Sequence, residues 1–152
     1  KPETKFYAQV KKNITAISWI RIENLSVPGT PDLLGYNPLG HFFTLELKYT
    51  KTNKIRISPH QIAFHIKHPE NTYILVLDAS LKLPKLYEGK RIRKLVACGL
   101  QLEPLDQGWD ACRLTLETFN LWHYTGDILS QLVAWRLRLV AILIGPGFMK
   151  HL

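Results

Sequence analysis

A chain of 152 residues with 46% hydrophobic and 21% charged side chains is suited to one globular domain with a substantial core, which excludes wholesale disorder. Twenty Lys and Arg against twelve Asp and Glu leave a formal charge of +8, which favours polyanionic partners through steering and counterion release. The two cysteines, Cys98 and Cys112, form no Cys-x-x-Cys pair; this argues against a disulfide scaffold or a zinc ribbon and for reduced thiols in an intracellular, cytoplasmic setting.

The opening KPETKFYAQVKK lacks an apolar signal core. Pro2 near the first helical position, Glu3 in the first turn, and Phe6 and Val10 four apart predict a short helix through about Lys12. Ile14 to Leu25 alternates as a strand, with Ala16, Ser18, Ile20 and Ile22 on one side. After the connector SVPGTP, PDLLGY and HFFTLELKY read as a hairpin turning at NPLG, where Pro38 and Gly40 are turn residues. The loop TKTNKIRI leads to SPHQIAFHIKHPE, a helix with Ser58 as N-cap, Pro59 in the first turn and Gln61 as the capping-box partner.

TYILVLDAS is a fourth strand, with Asp78 serving the turn at its end. LKLPKLYEG is expected at a sheet edge, because Pro84 cannot donate to a ladder. RIRKLVACG reads as a helix, WDACRLTLETF as a candidate helix, and Asp127 to Ile144 as a helix. The apolar run Ile128 to Gly145 is short for a membrane span and holds Arg136 and Arg138, each costing about 2.5 to 3.5 kcal/mol at a bilayer centre. No membrane partner is therefore expected, and this helix is read as buried or at an interface. Trp19, Trp109, Trp122 and Trp135 are read as core or interface residues.

Alternation along the third strand puts Thr44, Glu46 and Lys48 on one face and Phe43, Leu45 and Leu47 on the other. If Tyr36 pairs with Phe42, the same register sets Asp32 opposite Glu46, with Cβ atoms roughly 4.5 to 5.5 Å apart. Two adjacent carboxylates repel unless a cation lies between them, and such hard oxygen ligands suit Mg²⁺ or Mn²⁺.

The sequence PGTPD, followed by thirteen residues and then ELK, resembles the PD-(D/E)XK nuclease superfamily. With Glu3 before it and Gln61 after, it is most similar to the branch of virus-type replication-repair nucleases and Holliday-junction resolvases, over about residues 1 to 88. The resemblance implies an α/β fold: a mixed central sheet flanked by helices in a restriction-endonuclease-like α-β-β-β-α-β core. Residues 1–100 would form this core, and residues 101–152 a helical extension packed on it or forming an interface.

It further implies that Asp32, Glu46 and the backbone carbonyl of Leu47 bind the metal, with Glu3 reaching it through a water or a second ion. Lys48 would orient the nucleophile or stabilise developing charge, and Gln61 would hold Lys48, a water or a phosphate. The implied activity is Mg²⁺-dependent endonuclease cleavage of DNA, branched or flapped, with a homodimer needed for junction resolution. An exonuclease, an RNA-cleaving member and a catalytically silent nucleic-acid-binding domain are the alternatives.

Each residue also has a plainer role. Glu46 and Lys48 could form a solvated ion pair, Asp32 could cap a turn, Gln61 could serve only its capping box, and Glu3 could complement the helix dipole. Lys51, Lys54 and Arg56 are candidate phosphate contacts, as is a second cluster of Lys82, Lys85, Lys90, Arg91, Arg93 and Lys94; all could equally be solubilising. His65 is a candidate for lining the substrate groove and contacting nucleic acid, against the stronger reading of an exposed helix face. A zinc site at His60, His65 and His68 lacks a fourth ligand at suitable spacing. There is no GxSxG, Walker or HExxH motif.

Overall fold

The computed structural model describes residues 2–23, 26–120, 133 and 135–140. Its elements are α1 (Pro2–Asn13), β1 (Ser18–Arg21), β2 (Leu33–Tyr36), β3 (Phe42–Thr50), α2 (Pro59–Lys67), β4 (Thr72–Asp78), β5 (Leu83–Glu88), α3 (Ile92–Cys98), β6 (Asp106–Gln107) and α4 (Trp109–Thr118). The strands form one sheet in sequence order. All neighbours are antiparallel except β3 and β4, whose parallel pairing needs a crossover, supplied by α2. The fold is therefore α/β, with a mixed sheet between two layers of helices.

Period-two alternation assigns the layers. Leu33, Phe43, Leu45, Leu47, Tyr73, Leu75 and Leu86 face α1 and α4, where Phe6, Val10, Cys112 and Leu116 complete the larger core. Ile74, Val76 and Tyr87 face the other way, toward Ile62 of α2 and Ile92 and Leu95 of α3. Phe6 and Val10 are buried together, as their spacing requires. Gly35 permits the closest packing in the hairpin, since a Cβ there would overlap the ring of Phe43.

Two expectations change. The first strand is only four residues long, and Ile20 on its expected face is 55% exposed; Ile17 is buried and Trp19 half-buried on the opposite side. The Trp19 ring packs edge-on to Phe43 at 5.5 Å, and its indole N–H donates to the Ile14 carbonyl at 3.0 Å. The proline strand is not the edge, because β6 pairs outside β5. Gly108 donates to the Pro84 carbonyl at 2.8 Å from that outer side, so the missing proline donor also faces outward and the β4 ladder is undisturbed. Of the tryptophans read as core or interface, Trp109 packs on Phe6 and Trp135 is 63% exposed and so not core; Trp122 lies outside the described residues.

Most of the helix expected over Asp127 to Ile144 also lies outside the described residues; Val133 and residues 135–140 are helical. Arg138 ties this segment to the core, its guanidinium donating to both oxygens of buried Asp106 at 3.1 Å. Among the described residues no helix is long and apolar enough to cross a membrane.

Candidate active site

The hairpin turn sets the register on which the site depends. Asn37 donates its N–H to the His41 carbonyl, its side-chain oxygen accepts from Leu39 and His41, and Gly40 closes the bend at φ +84°. The ladder then pairs Tyr36 with Phe42 and Leu33 with Leu45. One step further, Asp32 comes opposite Glu46.

Asp32 stands where β2 leaves β3, and there its carboxylate replaces the missing strand. Oδ2 accepts the Leu47 N–H at 2.7 Å, while its own carbonyl accepts from Ile22 at 2.8 Å. The N–H and C=O of one extended residue point to the same edge, so the Leu47 carbonyl is directed to the edge that Asp32 occupies. This is the carbonyl expected among the metal ligands.

Glu46 and Lys48 lie on the opposite face from Leu47, under the start of α2. Glu46 is only 2% exposed. Its Oε1 meets the Lys48 ammonium at 3.0 Å and accepts a short hydrogen bond from the Gln61 amide, whereas Oε2 is buried without a hydrogen-bond partner. Lys48 donates to the Gln61 side-chain oxygen at 3.0 Å. That same oxygen accepts the Ser58 N–H at 3.0 Å, and Ser58 Oγ accepts the Gln61 N–H at 3.2 Å. The capping box is therefore complete and its glutamine also clamps the Glu46–Lys48 pair. The two roles of Gln61 coexist, one through its oxygen and the other through both side-chain atoms.

The electrostatics follow from this burial. Desolvation, aided by the negative charge of Asp32, pushes the Glu46 carboxyl up to about 7 against the pull of Lys48. Asp32 is also raised, first by burial and less by Glu3, with the Leu47 N–H, Lys48 and Arg21 opposing. Glu3, itself exposed, lines a cavity of about 50 Å³ with Tyr7, Arg21, Asp32, Leu33 and Leu47. Tyr7 was not singled out in the sequence, although its i,i+4 spacing from Glu3 puts both on one helix face.

These groups suit a hard divalent cation. Two neighbouring carboxylates held above their ordinary range, one oxygen without a partner, and an adjacent backbone carbonyl form an acceptor-only set that a cation would satisfy. Among the described residues no three His, Cys, Asp or Glu side chains converge. The protein would thus supply few ligands and leave positions to water or phosphate oxygens, as is usual for Mg²⁺.

No protein-family model and no curated protein matches this chain.

Other expected residues divide between surface and interior. Lys51, Lys54 and Arg56 are exposed in the segment between β3 and α2. His65, expected in the groove or on an exposed helix face, is instead 1% exposed against Thr72 and Gly89. Its Nδ1 has no hydrogen-bond partner, and burial with the nearby Lys48 charge pushes it down to about 4, so it is a neutral imidazole out of reach of a phosphate. His60 and His68 remain exposed, which separates the three histidines of the weighed zinc site. Lys85 is also buried, paired with Asp78 at 3.3 Å, and is no surface contact. Asp78 serves the following turn as expected, accepting from the Ser80 N–H at 3.0 Å and the Ser80 hydroxyl at 2.6 Å.

Proposed function

We propose that this chain is a divalent-cation-dependent endonuclease that hydrolyses phosphodiester bonds in DNA, with branched or flapped DNA favoured. The observation that carries the reading is the Glu46 carboxylate: buried, opposite Asp32 across the hairpin, clamped by Lys48 and Gln61 on one oxygen and unclaimed on the other. A purely structural ion pair would satisfy both oxygens, because an unpaired buried acceptor costs about 1 to 3 kcal/mol. The chain order α1-β1-β2-β3-α2-β4 supports the resemblance to PD-(D/E)XK nucleases.

Asp32, Glu46 and the Leu47 carbonyl would hold Mg²⁺ or Mn²⁺, with Glu3 reaching it through water. When bound, such an ion would supply Lewis-acid charge for a phosphate oxygen and for an attacking water. Lys48 sets a second positive charge at the phosphate, where negative charge grows in the transition state. Gln61 fixes the Lys48 ammonium through its side-chain oxygen, so the charge is positioned before substrate arrives. Symmetric cutting of a branched substrate would call for a two-fold homodimer.

The test is a Mg²⁺ and Mn²⁺ cleavage panel of single-stranded, duplex, flap, four-way-junction and RNA substrates, with Glu46→Ala beside the unaltered protein. Metal-dependent DNA cleavage that the variant lacks is expected. Absence of such cleavage on every substrate refutes the enzyme reading.

A further inference from the structure

Two basic segments distant in sequence are joined on the α2 and α3 side of the sheet. Immediately after β3, the loop Lys51 to Lys54 folds onto the end of α3: the Asn53 carbonyl accepts the Leu100 N–H at 2.9 Å, and its side-chain amide donates to the Cys98 carbonyl at 3.4 Å. Gly99, at φ +59°, makes the approach feasible, because a Cβ there would overlap the Asn53 carbonyl. Thr50 braces the loop from within, its hydroxyl donating to the Lys54 carbonyl at 2.7 Å and accepting the Thr52 N–H at 3.1 Å. The loop is closed on itself through the Thr50 hydroxyl and fixed to α3 through Asn53.

The loop's cations are thereby fixed at the C-terminal end of α3, the helix whose first turn carries Arg93 and Lys94. Lys51, Lys54, Arg56, Arg93 and Lys94 are exposed and make no ion pair among the described residues. Lys90 and Arg91 are less available: Lys90 pairs with Glu88 at 3.1 Å, and Arg91 donates to the Glu103 carbonyl at 2.9 Å. Residues 51–58 and 89–102 contain no acidic and no aromatic residue. Lys48 precedes Thr50 by two strand residues, roughly 6.6 Å, so this face begins next to the candidate site.

We infer that this joined face is the docking surface for the backbone of double-helical DNA, carrying one duplex arm away from the site. The inference rests on the nucleic-acid reading of that site and specifies the form of the substrate. Proteins that hold unpaired strands combine positive charge with aromatic side chains on which bases stack. Among the described residues, the two segments that build this face bring the charge without the platforms, the composition suited to phosphates of a duplex whose bases stay stacked. Its two halves belong to separate elements fixed to each other, so they present a set spacing to the backbone.

Cys98 provides a native probe. It lies one helical turn from Lys94 and is exposed, whereas Cys112 is buried, so a maleimide reads this face in the full chain. Labelling in EDTA, where no cleavage occurs, should slow severalfold when a short duplex is bound. By fluorescence anisotropy, Arg93→Glu with Lys94→Glu should weaken duplex binding roughly tenfold or more and reduce the slope of log Kd against log salt by about 2; Lys51→Glu with Lys54→Glu should do the same. Unchanged Cys98 labelling on bound duplex, or unchanged affinity and salt slope in both double variants, overturns the inference. Equal protection by single-stranded DNA or by a protein-free polyanion overturns the assignment to duplex. Duplex protection without metal-dependent cleavage would sink the nuclease reading and leave this surface standing.

Discussion

Replacing Glu46 by Gln should stabilise the metal-free protein at neutral and alkaline pH while abolishing cleavage. The carboxyl stands at about 7 in the folded chain against an ordinary 4.5, mainly through burial. Between those values the folded protein keeps a proton that the unfolded chain gives up, so stability is greatest below pH 4.5 and falls as pH rises through 7. A gap of about 2.5 pH units, at 1.36 kcal/mol each, sets a ceiling of roughly 3 kcal/mol. The Gln variant mimics the protonated acid at every pH and should escape this loss. Its gain falls below the ceiling because Lys48 then lacks its 3.0 Å anionic partner. Urea denaturation in EDTA, from about pH 5 to about pH 8, gives the stability difference between the two proteins, in which the other titrating groups largely cancel. That difference should widen with pH toward about 2 to 3 kcal/mol in favour of Glu46→Gln. A constant difference would show that Glu46 is not a buried acid of raised pKa, and the argument for a cation site would lose its electrostatic basis.

Magnesium should largely cancel this advantage. At about 100 times its dissociation constant a bound ion adds about 2.7 kcal/mol to the original protein, and the Gln variant should gain little; denaturation with and without Mg²⁺ reads this directly. Lys48→Met should lower single-turnover cleavage by about 10²- to 10³-fold while the Mg²⁺-induced stabilisation persists, because Lys48 is assigned to the phosphate and not to the ion. Ser58→Ala should cost about 1 kcal/mol of stability with cleavage largely retained, whereas Gln61→Ala should lose the cap and the Lys48 clamp together; melting curves beside cleavage rates separate the two. Gly35→Ala should destabilise by about 1 to 3 kcal/mol in urea, since its Cβ would displace the Phe43 ring.

Much of the α/β architecture and the local frame of the site was legible because short-range rules govern both. Pro38 and Gly40 fix the turn, and the turn fixes the Leu33–Leu45 pair and thus the position of Asp32. Ser58, Pro59 and Gln61 announce α2 by capping chemistry alone. Features decided by tertiary context were not legible. β1 carries apolar residues on both faces, so alternation could not choose between Ile20 and Trp19; packing on Phe43 decided it. β6 is too short for any period to register. His65, four residues after Gln61, shares its helical face, but that face looks inward: a residue one turn beyond a group that reaches into the sheet must be covered as well. Lys85 counted as surface charge until the β5 register set it on Asp78. The bond from Asp32 to the Leu47 N–H depends on where β2 diverges, which no local pattern encodes.

The shared oxygen of Gln61 has a consequence for how this sequence can change over time. Because one atom serves both the Ser58 N–H and Lys48, the first turn of a helix and the polar clamp on Glu46 are a single unit. Positions 46, 48, 58 and 61 are therefore not free to drift one by one: a substitution at 61 that keeps the helix but not the clamp leaves a well-folded protein with a disarmed site. Related chains should vary at these positions jointly, and a chain that has lost Glu46 is released from the need for Gln61 except as a cap.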